Sequence, residues 1–138
     1  MKLYLLHPIA VHFPIVLLLT SLFFKAGHLI FKKEEWDKTS TALLFLGTIA
    51  AVIAAGLGLL AEETVPHVPD AWEHLYNHKL LGLTTAGLFV VLSVWKFFFE
   101  KFWPKAFFFF WILASGILIA TAYFGGELVF HFGVGYNL

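Results

Sequence analysis

Four apolar runs, at residues 8–30, 39–60, 78–99 and 106–130, leave this chain little choice of fold. Each is long enough to cross about 30 Å of hydrocarbon at about 1.5 Å per residue, which takes roughly 20 residues. Lipid supplies no hydrogen bonds, so a spanning backbone must satisfy its own polar groups, and runs of this length do so as helices. With 60% hydrophobic and 13% charged residues among 138, the chain reads as one all-α domain over residues 1–138. The expected architecture is an integral membrane four-helix bundle, up-down-up-down. The first run follows Lys2, but its apolar core is too long for a secretory signal and no small-x-small site precedes Lys25. It therefore reads as a retained span.

Charge then orients the bundle. All nine basic residues are lysines, balanced by nine acids, which argues against a nucleic-acid partner. Lys25, Lys32, Lys33 and Lys38 surround the first connection and Lys96, Lys101 and Lys105 the third, whereas Lys2 and Lys79 fall on the opposite side. By the positive-inside rule both termini and the second connection lie outside the cytoplasm, on the periplasmic side in a bacterium.

The second run carries small residues every four positions, Gly47, Ala51 and Ala55 beside Ala50, Ala54 and Gly58. Such rows let another helix approach closely. Pro66 and Pro69 end that helix, and Asp70 followed by Glu73 has the spacing of a capping box, so the third helix is expected over 71–99 with Trp72 and Tyr76 at the interface. The aromatic run Phe107 to Trp111 reads as lipid-facing bulk, and Gly133 and Gly135 end the fourth helix.

Six of the seven histidines fall on the outer side under this topology: His7, His12, His67, His74, His78 and His131. His67, between two prolines, reads as loop chemistry, and His28 on the inner side as an interfacial residue near a helix C-terminus. His7, His12, His78 and His131 come from three helices at similar depth, and intramembrane ionisable groups default to function. With no cysteine present, thiolate metal sites and covalent c-type haem are excluded. Neutral imidazoles from two helices suit a b-type haem. The expected axial pair is His12 with His78, with His7 and His131 as further ligands of one or two haems. Gly56, Gly58, Gly82 and Gly87 offer flat surfaces, and Phe13, Phe89, Phe124 or Phe132 could pack on the ring. His7 and His12, five apart, differ by about 140° on an ideal helix, although Pro14 frees the carbonyl of Ala10 and could bend them together.

Other chemistries remain open to the same residues. Three or four histidines with Glu127 could hold a non-haem transition-metal ion. Glu127 and His74 could instead orient a ligand or relay protons from quinol at the outer leaflet. A third class is a structural or assembly subunit of a membrane complex, or a homo-oligomer, docking through the small-residue face of the second helix.

At these residues the chain resembles a family, the small bacterial four-helix membrane domain known as domain of unknown function 2231. The resemblance rests on His7-Pro8-x-x-Val11-His12-Phe13-Pro14-Ile15, on His78 followed by Leu81-Gly82, and on Gly125-Gly126-x-Leu128-Val129-Phe130-His131-x-Gly133-Val134-Gly135. Phe132 departs from the family pattern, which runs His-Gly directly. Similar domains joined to Rieske-type or cytochrome c domains imply periplasmic electron transfer with a redox protein or larger respiratory complex. No catalytic residue is expected.

Overall fold

The computed structural model describes residues 3–66 and 68–135, and the loop residue His67 lies outside them. A short 3-10 turn, Leu3–Leu5, leads into α1 (Leu6–Ala10), which is followed by α2 (His12–Phe31) and the long α3 (Glu34–Thr64). A second 3-10 turn, Pro69–Ala71, precedes α4 (Trp72–Phe98), and α5 (Pro104–Phe130) completes the chain. No strand occurs among the described residues. Four helical stretches are long and apolar enough to cross a membrane, with α1 and α2 together forming the first over Leu6–Phe31.

The punctuation follows from local chemistry. Pro14 has no N–H to give Ala10, and the next bond, Ile15 N–H to Val11 O, is stretched to 3.4 Å, so the first span breaks at Val11. Pro104 occupies the first position of α5, where a missing N–H is harmless. Gly133, at φ +67°, follows α5, and Val134 N–H returns to Leu128 O at 2.9 Å. The capping box expected from Asp70 and Glu73 does not form. Pro69 starts a 3-10 turn that absorbs Asp70, and α4 begins without a side-chain cap.

α2 packs on α3, α3 on α4, α4 on α5 and α5 on α2, which makes a square bundle with α2 diagonal to α4 and α3 diagonal to α5. Its core is filled by Leu18, Leu44, Phe89, Phe107 and Trp111, none of which is exposed. Phe107 and Trp111 correct the expectation that the aromatic run is lipid-facing. They stand one turn apart on the inward face of α5, while Phe109 and Phe110 between them are exposed.

The two hairpins, α1 to α3 and α4 to α5, repeat one another. Along the first helix of each, Pro14, Leu18, Ser21 and Lys25 match Thr85, Phe89, Leu92 and Lys96 at one constant offset, and His7 matches His78 at the same offset. Along the second helix Ser40, Leu44, Gly47, Thr48 and Ala51 match Phe107, Trp111, Ala114, Ser115 and Leu118, every one of them buried. Both hairpins run in the same direction, so they are related by a pseudo-twofold axis parallel to the helices, as in parallel membrane repeats. The axis joins two polar ends: a histidine end at His7 and His78, and a lysine end at Lys25 and Lys96.

At the lysine end the four charges close into a ring. Lys25 pairs with Asp37 at 2.7 Å and also with Glu100, while Lys96 pairs with Glu100 at 2.6 Å and with Asp37 at 3.2 Å. Each acid therefore ties its own hairpin and crosses to the other. Lys25 and Lys96, read from sequence only as topology signals, are 7% and 8% exposed and belong to the interior.

Repetition also accounts for an orphan hydroxyl. Thr48 Oγ1 meets Ser93 Oγ at 2.9 Å across the α3–α4 contact, whereas Ser115, its equivalent on α5, is buried without a partner. The position equivalent to Ser93 is Leu22, which offers nothing to bond. Ser115→Ala should therefore leave unfolding in detergent unchanged or slightly raise stability, while Thr48→Val lowers it by about 1 kcal/mol. Thermal melts followed by circular dichroism compare the two.

Candidate functional site

At the histidine end, small residues on α3, α4 and α5 leave a cavity of about 430 Å³. Ala51, Ala54 and Gly58 form its wall on α3, Gly82 on α4, and Ala122 and Gly125 on α5. A volume of that size is typical of small-molecule and cofactor sites. Two imidazoles enter it from diagonal helices. His7 comes from α1, His78 from α4, and their rings stand 5.9 Å apart, centroid to centroid, at 66°.

Each ring is held in the same way. His7 Nδ1 lies 2.9 Å from the carbonyl oxygen of Ala54, and His78 Nδ1 lies 3.0 Å from that of Thr121. A carbonyl only accepts, so each Nδ1 carries the proton and donates it, and the lone pair is left on Nε2. One turn beyond each acceptor is a glycine. A Cβ on Gly58 would stand 3.0 Å from His7 Cε1, and one on Gly125 would stand 2.9 Å from His78 Cε1. A methyl group at Gly125 would force the His78 ring to shift, and one at Gly58 would crowd the His7 ring. Thr121 is steadied in turn by Thr85, hydroxyl to hydroxyl at 2.9 Å.

The other sequence candidates are distributed differently. The ring facing His78 is that of His7, not His12. His12 lies on the cavity rim, exposed, with Nδ1 a long 3.4 Å from Ile9 O. The break at Val11 therefore does not bring the two rings together: His7 turns inward and His12 outward. His131 is exposed just beyond α5, its ring edge-on to Phe132 at 4.8 Å. His74 packs against Phe132 at 4.6 Å and Phe124 at 6.0 Å. Neither His74, His131 nor Glu127 lines the cavity. Among the described residues no three His, Cys, Asp or Glu side chains gather as a metal site, so the cluster of histidines with Glu127 considered for a bare ion is not assembled. Gly56 and Gly87 are exposed with open space around them, and Phe89 is core. Of the expected flat surfaces Gly58 and Gly82 reach the cavity.

Sequence reasoning missed the two carbonyl acceptors and the contact of Gly125 with His78. The signal was available as the repeat, because His7 and Lys25 are spaced as His78 and Lys96 are, and Ala54 and Gly58 as Thr121 and Gly125. His28, as expected of an interfacial residue, caps the α2–α3 turn through Nδ1 and the carbonyl of Lys33 at 2.9 Å.

A four-span helical membrane protein with a paired imidazole in an apolar cavity is the class that fold and site define. A family profile described as a predicted membrane protein, DUF2231, matches residues 5–137, and the chain belongs to that family. No curated protein and no solved structure matches it.

Proposed function

We propose that this chain is a membrane b-type haem protein whose axial ligands are His7 and His78. It would carry electrons near the periplasmic face of a bacterial cytoplasmic membrane, between a membrane donor such as quinol and a periplasmic redox acceptor. The observation that carries this reading is the pair of imidazoles from diagonal helices, both anchored through Nδ1 and 5.9 Å apart. Metal–imidazole bonds are about 2.0 Å long, so two rings this close could both hold one metal atom. A pair of donors is what haem iron asks of a protein, whereas a bare ion asks for three or four.

The residues present fit the group. Ala54 and Thr121 carbonyls fix the ring rotation and make each Nε2 a better donor, the usual support of metal-bound histidine. Gly58 and Gly125 let both rings retreat against α3 and α5. The small apolar side chains of the wall lower the dielectric around whatever charge the site holds. Bound haem supplies one-electron oxidation and reduction, with a potential tuned by axial identity and burial.

Orientation rests on the lysines. Setting aside Lys25 and Lys96, which the ring of acids neutralises, Lys32, Lys33, Lys38, Lys101 and Lys105 are still exposed at that end. At the histidine end Lys79 is itself paired with Glu62. Under the positive-inside rule that asymmetry favours a periplasmic histidine end.

The test is a reduced-minus-oxidised absorption spectrum of the protein purified in detergent from cells supplied with haem. A Soret band and a sharp α band at about one haem per chain are expected. Absence of both bands overturns the reading.

A further inference from the structure

The two hairpins being equivalent, the two sides of the cavity should be lined alike, and they are not. Where α3 meets α4, Glu62 and Lys79 line the cavity and pair at 2.7 Å, with side chains 28% and 40% exposed. The positions related to them by the repeat are Val129 on α5 and Pro8 on α1, which line the cavity on the other side. Beyond them Phe130 is 91% exposed. One side of the cavity thus carries an ion pair where the related positions are apolar, although the imidazoles between them are matched.

We propose that Lys79 anchors a carboxylate of the occupant and so orients it between two imidazoles that the repeat makes equivalent. The inference rests on the haem reading and deepens it, since haem b is a disc with two carboxylates on one edge and hydrocarbon on the opposite edge. The paired imidazoles alone do not distinguish the two orientations about the axis. The Lys79 ammonium has three donors and Glu62 occupies one of them, so a carboxylate can join the pair without breaking it. Glu62 repels that carboxylate and holds the affinity of Lys79 in check. Pro8 and Val129 receive the hydrocarbon edge.

The experiment titrates the full chain, purified in detergent from cells with restricted haem supply, with haemin and with haemin dimethyl ester, following the Soret band. Wild type is expected to bind haemin at least about tenfold more tightly than the ester, the size of one charge-assisted hydrogen bond. Lys79→Gln abolishes that preference, Lys79→Arg keeps it, and Glu62→Gln enlarges it. A merely structural ion pair predicts the opposite of this split, with Lys79→Gln and Glu62→Gln acting alike and the preference untouched. Equal binding of haemin and ester by wild type, or an undiminished preference in Lys79→Gln, overturns the anchor and leaves the haem reading standing. Binding of neither by wild type overturns both.

Discussion

Glu100→Ala is expected to destabilise the bundle by about 3 kcal/mol, the largest effect of any single side-chain truncation at the lysine end. Glu100 takes both Lys25 and Lys96, whose side chains are 7% and 8% exposed, and is itself 17% exposed. Its removal leaves two ammonium groups sharing the one carboxylate of Asp37 in surroundings that water scarcely reaches. Breaking a buried pair on one side commonly costs about 3–5 kcal/mol because the remaining charge is uncompensated. Asp37→Ala should cost less, since Asp37 is 31% exposed and water can replace part of what is lost. Replacing all four groups by apolar residues of similar volume should come out near neutral, because desolvation and attraction nearly cancel in a closed ring. Thermal unfolding in detergent, read by circular dichroism, orders the three variants. A Glu100→Ala melt indistinguishable from wild type would show that detergent headgroups or water take over its role.

That ring marks the boundary of what could be read in advance. The spans, their alternation and the glycine end of α5 follow from run length and from Gly133, features that each depend on a few neighbouring residues. Whether a given side chain faces lipid or protein depends instead on helical phase, and here composition misled. Phe107 to Trp111 is uniformly aromatic, so only the four-residue step from Phe107 to Trp111 separates the two core rings from Phe109 and Phe110 on the surface. Asp70 and Glu73 had the spacing of a cap, but Pro69 imposed a tighter turn first.

The site was half legible for the same reason. Depth along a membrane helix can be counted from either end of the run, so the histidines sharing one end of the bundle were identifiable. Direction around the helix could not be counted through Pro14 and the break at Val11, and so His12 was expected opposite His78, where the ring 5.9 Å away is that of His7. A comparison of the chain with itself resolves that ambiguity. His7 and Lys25 recur as His78 and Lys96, and two positions related by a twofold axis are the pair able to face each other across it. His12 has Leu83 at its equivalent position and His131 has Thr64, so neither has a counterpart of its own kind.

From that equivalence comes the second large effect. His7→Ala and His78→Ala should each abolish the six-coordinate low-spin spectrum expected of the loaded protein and lower haem retention at least roughly tenfold, to similar extents. The similarity is the diagnostic part. Both rings use the same bond to a helix carbonyl, Ala54 O at 2.9 Å and Thr121 O at 3.0 Å, and both rest on a glycine. Gly125→Val should reproduce much of the His78→Ala result without removing a ligand, because its branched side chain occupies the space of the His78 ring edge and displaces Nδ1 from Thr121. His12→Ala and His131→Ala, truncating exposed rings, should leave the spectrum unchanged. Should His12→Ala abolish the low-spin spectrum and His7→Ala spare it, the axial pair would be His12 with His78, and the twofold relation of the two hairpins would have no bearing on the site.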